Sequence, residues 1–194
     1  LVSTLPVTVY QFNPLDYQLD IQCDYDPYDE TPPCFSYTND AALLLPTHVL
    51  DNDYIVMARP TWGVRRDCPA PYNSYDFDWN YDPGFMAIVG TENNTTVTVT
   101  YSCYTEGGDL TQSSPGQQRN YTLDRGEVIQ VLSRIPALGT NCSQTQSSKS
   151  CLGICTCYFC DMEEDYDLTG TIINSSAPVA VYSGSNCAFV PYNY

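Results

Sequence analysis

Ten cysteines in a chain of 194 residues restrict the fold more than any other feature of the sequence. They stand at Cys23, Cys34, Cys68, Cys103, Cys142, Cys151, Cys155, Cys157, Cys160 and Cys187. An even and dense set of this kind becomes a disulfide framework in an oxidising compartment, whereas cytosolic glutathione would hold it as thiols. Asn93, Asn94, Asn120, Asn141 and Asn174 each have Ser or Thr two residues on, the acceptor pattern for N-linked glycan. Of the adjacent pair Asn93 and Asn94 only one is expected to be modified, because two glycans there would crowd. Cysteines and sequons together place the chain outside the cell. No basic segment followed by an apolar run stands at its start, as expected where a secretion signal is absent or already removed.

Charge narrows the partners. Seven Lys and Arg against 23 Asp and Glu leave a formal charge of −16, which repels phosphate backbones and anionic lipid. Neither nucleic-acid binding nor membrane insertion is expected, and no apolar run approaches the roughly 20 residues that span a bilayer. Hydrophobic residues still make up 43% of the chain, enough for a core.

The pattern of that hydrophobicity is alternation, the mark of strands buried on one face. In 95–101 (TTVTVTY), Val97, Val99 and Tyr101 point one way and Thr96, Thr98 and Thr100 the other. Further strands are predicted at 7–12, 54–59, 85–89, 120–123, 127–132, 168–173 and 179–182. Asp124-Arg125-Gly126 reads as the tight turn between two of them, Gly126 supplying a positive φ. No window shows a helical period. The expected fold is all-β: a disulfide-braced β-sandwich with long Cys/Asp/Tyr-rich loop insertions. Those insertions are 20–38, 65–82 and 139–165, each read as a long loop that bridges must order. A local Cys23–Cys34 bridge would staple the first.

Pro6-Val7-Thr8-Val9-Tyr10 matches Pro178-Val179-Ala180-Val181-Tyr182 at four of five positions. One reading is coincidence between two ordinary strands. The other is an offset array, in which 1–14 is a leading strand that pairs with a neighbouring unit or copy and 15–194 is a single sandwich domain.

Two segments offer chemistry. Asp76, Asp78, Asn80 and Asp82 alternate with Phe77, Trp79 and Tyr81. Converging oxygens at such spacing would suit calcium, but the central Gly and distal Glu of a calcium loop are missing. A strand with packed aromatics and solvated acids is the preferred reading, so no cofactor is expected and calcium stands second. The concentration of Tyr72, Tyr75, Phe77, Trp79 and Tyr81 predicts a contact surface, Tyr and Trp offering rigid apolar faces with polar tips. The acidic run Asp161, Glu163, Glu164, Asp165 and Asp167 reads as a solvated loop. Cys151, Cys155, Cys157 and Cys160 have irregular spacing, which favours bridges over zinc. His48 is the only histidine, and nucleophile-elbow and zinc-protease motifs are absent, so no catalytic residue is assigned.

Segments 6–14 (PVTVYQFNP), 39–50 (NDAALLLPTHVL), 54–60 (YIVMARP), 85–100 (FMAIVGTENNTTVTVT), 121–133 (YTLDRGEVIQVLS) and 167–191 (DLTGTIINSSAPVAVYSGSNCAFVP) occur in this order. Together they resemble the N-terminal domain of IgG Fc-binding proteins, a module also found in many extracellular surface proteins. The resemblance implies a secreted, β-rich, non-enzymatic adhesion or binding module, often part of larger repetitive proteins. The insertions at 20–38, 65–82 and 139–165 lie outside the shared pattern. Neither IgG binding nor any residue role is carried over. Two functions are therefore expected of this sequence. One is a structural or adhesion module that associates with copies of itself or tandem homologous domains into a fibre or matrix. The alternative is a monomeric module that binds a glycan or an extracellular protein through the aromatic segment.

Overall fold

The structure is a computed structural model that describes residues 3–5, 7–13, 18–22, 33–35, 40–44, 46–137, 146–151, 155–162 and 164–185. Its contacts divide the chain into two compact units, 1–49 and 50–194. In the first, β1 (Val9–Asn13) runs antiparallel to β4 (Asp40–Leu44), with Val9 opposite Leu44. A second pair joins β2 (Gln18–Gln22) to β3 (Pro33–Phe35), and a single 3-10 turn covers Thr47–Val49. Register pairing of β1 with β4 binds the leading strand to its own chain, and the division falls after Val49.

The second unit is organised around one long strand. β14 (Ile172–Ser185) carries β8 (Gly84–Gly90) and then β9 (Thr95–Thr100) along one edge. Val179 to Ser185 pair with Gly90 to Gly84, and Ile172 to Ser175 pair with Thr100 to Val97. The other edge of β14 takes β5 (Asp51–Ile55), with Ile172 opposite Ile55. β10 (Gln118–Leu123) flanks β9, and β11 (Val128–Leu132) flanks β8. The sheet curls where the chain steps from β8 to β9, opposite residues 176–178 of β14. Pro178 falls in that step, where no ladder donor is required of it, and its carbonyl accepts from Thr91 Oγ1. Of the strands predicted at 168–173 and 179–182, residues 172–173 and 179–182 are parts of one strand, while 168–171 form the turn that precedes it. Proline marks a step between partners here, not a break.

Alternation fills the core as expected. Met86 and Ile88 of β8, Val97 and Val99 of β9, and Ile173 and Val179 of β14 are fully enclosed. They join Val131, Leu123 and Tyr101 in one cluster. Each enclosed aliphatic side chain contributes about 1.5–3 kcal/mol. The hairpin between β10 and β11 turns through Asp124, Arg125 and Gly126, the glycine at φ +87°. Glu127 donates its N–H to the Asp124 carbonyl there.

The second sheet is built largely from stretches read as loops. β12 (Gln146–Cys151), β13 (Cys155–Asp161), β6 (Trp62–Asp67) and β7 (Phe77–Asp82) form a four-stranded antiparallel sheet in that order. Two of the stretches read as separate loops, 65–82 and 139–165, thus pair with each other, and a Cys68–Cys155 disulfide joins them. Ser, Gln, Arg and Cys give these strands no clean apolar period, so only the pairing defines them.

A buried polar joint links the two sheets. Thr61, just before β6, and Ser133, just after β11, are fully enclosed, with their hydroxyls 2.9 Å apart. Ser133 Oγ also accepts the Gly84 N–H at 2.9 Å, and the Ser133 N–H returns to the Gly84 carbonyl. Thr61 Oγ1 further donates to the Arg134 carbonyl. Every hydroxyl in the joint has a partner, as burial demands.

Candidate functional site

The aromatic segment 77–82 is strand β7, and strand geometry sorts its side chains to two sides. Trp79 and Tyr81 are buried on one side, their rings stacked with centroids 5.9 Å apart. They pack with Cys160, Tyr158 and Met162. Gly63 on β6 makes room for them, since a Cβ there would lie 2.7 Å from the Tyr81 ring. Burial pushes the Tyr81 phenol above its ordinary value and keeps it neutral. Trp79 and Tyr81 therefore hold the small sheet together, and the exposed aromatic surface is narrower than the sequence predicted. Tyr72 is 43% exposed, with Tyr75 and Phe77 half-buried beside it.

Two arginines complete this margin. Arg65 lies over the Tyr158 ring at 5.1 Å and forks onto Asp67 at 3.0 and 2.5 Å. Arg66 lies over the Phe77 ring at 4.9 Å, and its Nε donates to the Tyr75 carbonyl at 2.8 Å. The 3-10 turn Asn73–Tyr75 is fixed by the Tyr72 carbonyl, which accepts from the Tyr75 N–H. Sequence reasoning missed both arginines. The available signal was an Arg-Arg pair in a chain with only seven cationic residues.

The oxygen donors considered for calcium, Asp76, Asp78, Asn80 and Asp82, lie along β7 and the residue before it. Asp78 and Asn80 are exposed on β7, and Asp78 Oδ1 accepts from the Trp79 N–H. Asp76 Oδ1 accepts from the Cys68 N–H, and Asp82 sits at the strand end opposite Trp62. Among the described residues no three His, Cys, Asp or Glu side chains meet. In the acidic run, Glu164 and Asp165 are exposed in a 3-10 turn and Asp167 Oδ1 accepts from the Thr169 N–H. The side chains of Asp161 and Glu163 lie outside the described residues. His48 is exposed in the turn Thr47–Val49.

Among the described residues, cysteine bonding departs from expectation at Cys103. Besides the Cys68–Cys155 pair, Cys157 and Cys160 are each engaged in a disulfide. Cys103, expected in a bridge, is instead a free thiol sealed in the core, and burial pushes it up to about 12. Cys23, Cys142 and Cys187 lie outside the described residues, as do the side chains of Cys34 and Cys151 and the proposed Cys23–Cys34 bridge.

Four sequon asparagines are exposed. Asn93 and Asn94 occupy the step between β8 and β9, where Asn93 Oδ1 accepts from the Arg125 N–H and Asn94 takes φ +57°. Asn120, Thr98, Asn174 and Asp53 form one row across four strands, in register. Thr98 donates to Asn120 at 2.9 Å and Asn174 donates to Asp53 at 2.6 Å. Asn141 lies outside the described residues. An open groove of about 230 Å³ runs beside β11, lined by Tyr101, Thr105, Glu106, Leu110, Gln130 and Leu132. Of its two carboxylates, Glu106 and Asp109, Glu106 Oε1 accepts from the Ile135 N–H.

No helix among the described residues is long and apolar enough to cross a membrane. No curated protein and no solved structure matches this chain. The family described as IgGFc binding protein matches residues 40–194, well over half of the sequence, and the chain belongs to that family.

Proposed function

We propose that this chain is a non-enzymatic adhesion module, secreted or displayed at a cell surface, that grips an extracellular protein through the arginine–aromatic margin of its small sheet. The family makes it an extracellular binding module. The observation that carries the proposed surface is Arg66 laid on the Phe77 ring and bonded to the Tyr75 carbonyl, with Tyr72 exposed at the start of the adjoining 3-10 turn. Arg, Tyr and Trp dominate the energetics of protein interfaces, and a side chain fixed beforehand loses little freedom on binding. Immobilised immunoglobulin Fc, named in the family description, and purified matrix glycoproteins are the probes. Tyr72→Ala and Arg66→Ala should each weaken capture about tenfold, equivalent to about 1.4 kcal/mol. Unchanged capture by both variants refutes this surface, and capture of a glycan array alone would replace protein with carbohydrate as the ligand.

Self-association is the second reading, favoured by the head of the chain. Leu5, Val7 and Tyr10 are exposed there, and β1 has one pairing partner among the described residues. The 6–10 segment also echoes the part of β14 that pairs with β8. A strand of this kind added to the next copy gives a head-to-tail contact that grows into a filament. Light scattering that shows monomers at every concentration would exclude it.

A further inference from the structure

We propose that Asn174 carries an N-linked glycan whose inner sugars lie over an exposed apolar patch on the six-stranded sheet, on the face turned away from the core. The patch is Ile55, Met57 and Ile172, which are 75%, 81% and 43% exposed. Ile55 and Ile172 are register partners across β5 and β14. Val56, between Ile55 and Met57, is enclosed in the core, so Met57 projects outward beside Ile55. Among the described residues β14 is the one strand paired with β5, so the patch sits at a sheet edge. An uncovered apolar strand at an edge is a template for pairing with another chain. Asn174 stands next to this patch, two residues from Ile172 on the same face, a spacing of about 6.6 Å. Ile55 is its diagonal neighbour across the strands, at about 7–8 Å. One sugar ring attached to Asn174 is long enough to reach both.

The native hydrogen bonds suit the modification. Asn174 gives one N–H to Asp53 Oδ1 at 2.6 Å, which tilts its amide toward β5, the strand that carries Ile55. The second N–H is the one a sugar replaces. An oligosaccharide carried on a polyprenyl pyrophosphate is the donor: a bond forms from Nδ2 to sugar C1, and the C1–oxygen bond to the pyrophosphate breaks. The lipid pyrophosphate leaves, and one amide proton is released. The N–H that remains still reaches Asp53, so the linkage is held against the sheet. Ring C–H faces and the N-acetyl methyl then pack on the isoleucines while the sugar hydroxyls face water. Asn120 provides the contrast. It lies in the same row beyond Thr98, its Oδ1 is held by the Thr98 hydroxyl, and its neighbours along β10 are Gln118 and Thr122. A glycan there has no apolar surface to cover. The inference rests on the extracellular reading, because this transfer belongs to the secretory route, and it is independent of the arginine–aromatic margin.

The test is the full chain secreted from cultured animal cells, with glycopeptide masses mapped and the folded protein probed with a dye that fluoresces on apolar surface. The expected map places a glycan on Asn174. Peptide:N-glycosidase treatment of the folded protein should then raise dye binding and deplete the monomer on size exclusion, and Asn174→Gln should do the same. Asn120→Gln should change neither. Ile55→Thr combined with Ile172→Thr should abolish the response to deglycosylation, a comparison that stands even if Asn174→Gln is not secreted. An unmodified Asn174 overturns the inference. So does deglycosylation that leaves dye binding and monomer unchanged, or that acts equally on chains with and without the two isoleucines. Free Cys68 and Cys155 thiols in the same material would instead sink the extracellular reading itself.

Discussion

Gly84→Ala tests the joint between the two sheets. Gly84 opens β8 and exchanges hydrogen bonds with Ser133 through both its N–H and its carbonyl. A methyl group there would lie 2.3 Å from the Arg59 carbonyl oxygen. Non-bonded heavy atoms settle near about 3.5 Å, so the segment before β6 must move away from β8 by about 1 Å. Such overpacking costs about 1–3 kcal/mol. The same displacement stretches the Thr61–Ser133 and Thr61–Arg134 hydrogen bonds, and each buried bond is worth about 1 kcal/mol. Together the loss is about 3–5 kcal/mol, or a fall in Tm of roughly 10 °C for a chain of this size. Guanidinium denaturation at pH 7 without reductant measures it as a shift in midpoint at constant slope. Gly108→Ala is the control, because nothing lies within 4 Å of its added Cβ. If Gly84→Ala stays within about 1 kcal/mol of the parent chain, the two sheets are not joined as described.

Raised folded-state pKa values set the alkaline limit. The thiol of Cys103 is held up to about 12 against an ordinary value of 9.0, so the unfolded chain loses its proton first as pH rises. The stability due to the protonated thiol is complete below pH 9 and lost progressively toward pH 12, and Cys103→Ala should flatten that decline when unfolding is compared at pH 7 and 10.5. Tyr101, raised by burial and by its hydrogen bond to Tyr121, adds in the same direction. Replacing both Cys68 and Cys155 by Ser opens a link of sequence separation 87 and should cost about 2–4 kcal/mol in the same denaturation assay. Ile88→Ala should cost about 2–5 kcal/mol by leaving a cavity among Met86, Val97 and Val131, and a loss below about 1 kcal/mol would contradict the packed core. Peptide:N-glycosidase treatment of secreted material should lower its mass, with Asn93→Gln, Asn120→Gln and Asn174→Gln each removing part of the change.

How far the sequence could be read depended on whether burial left a period in it. In β8 and β9 one face is sealed, and Met86, Ile88, Val97 and Val99 recur at every second residue, so these strands were legible. β6 and β13 belong to a narrow sheet that uses both faces. Arg65 and Arg66 point to opposite sides, each covering a ring, and the Cys residues serve as cross-links, so no period survives. β12, with Gln, Ser and Lys, is a strand only because β13 lies beside it. In the candidate site the aromatic concentration was visible, but not the division of labour within it. Trp79 and Tyr81 turn inward because Gly63 leaves the backbone bare beneath them, a fact of cross-strand register. The loss of Cys103 from the disulfide set is equally non-local, since only the packing around it excludes a partner.

The long strand β14 has a consequence for synthesis. It follows β8, β9 and β5 in the chain, yet all three hydrogen-bond to it. As the polypeptide emerges, these earlier segments wait with one ladder of amides and carbonyls unanswered, a condition that invites aggregation and chaperone capture. Contacts this distant along the chain also slow folding. A ribosome that stalls before Ile172 therefore leaves the core without its keystone.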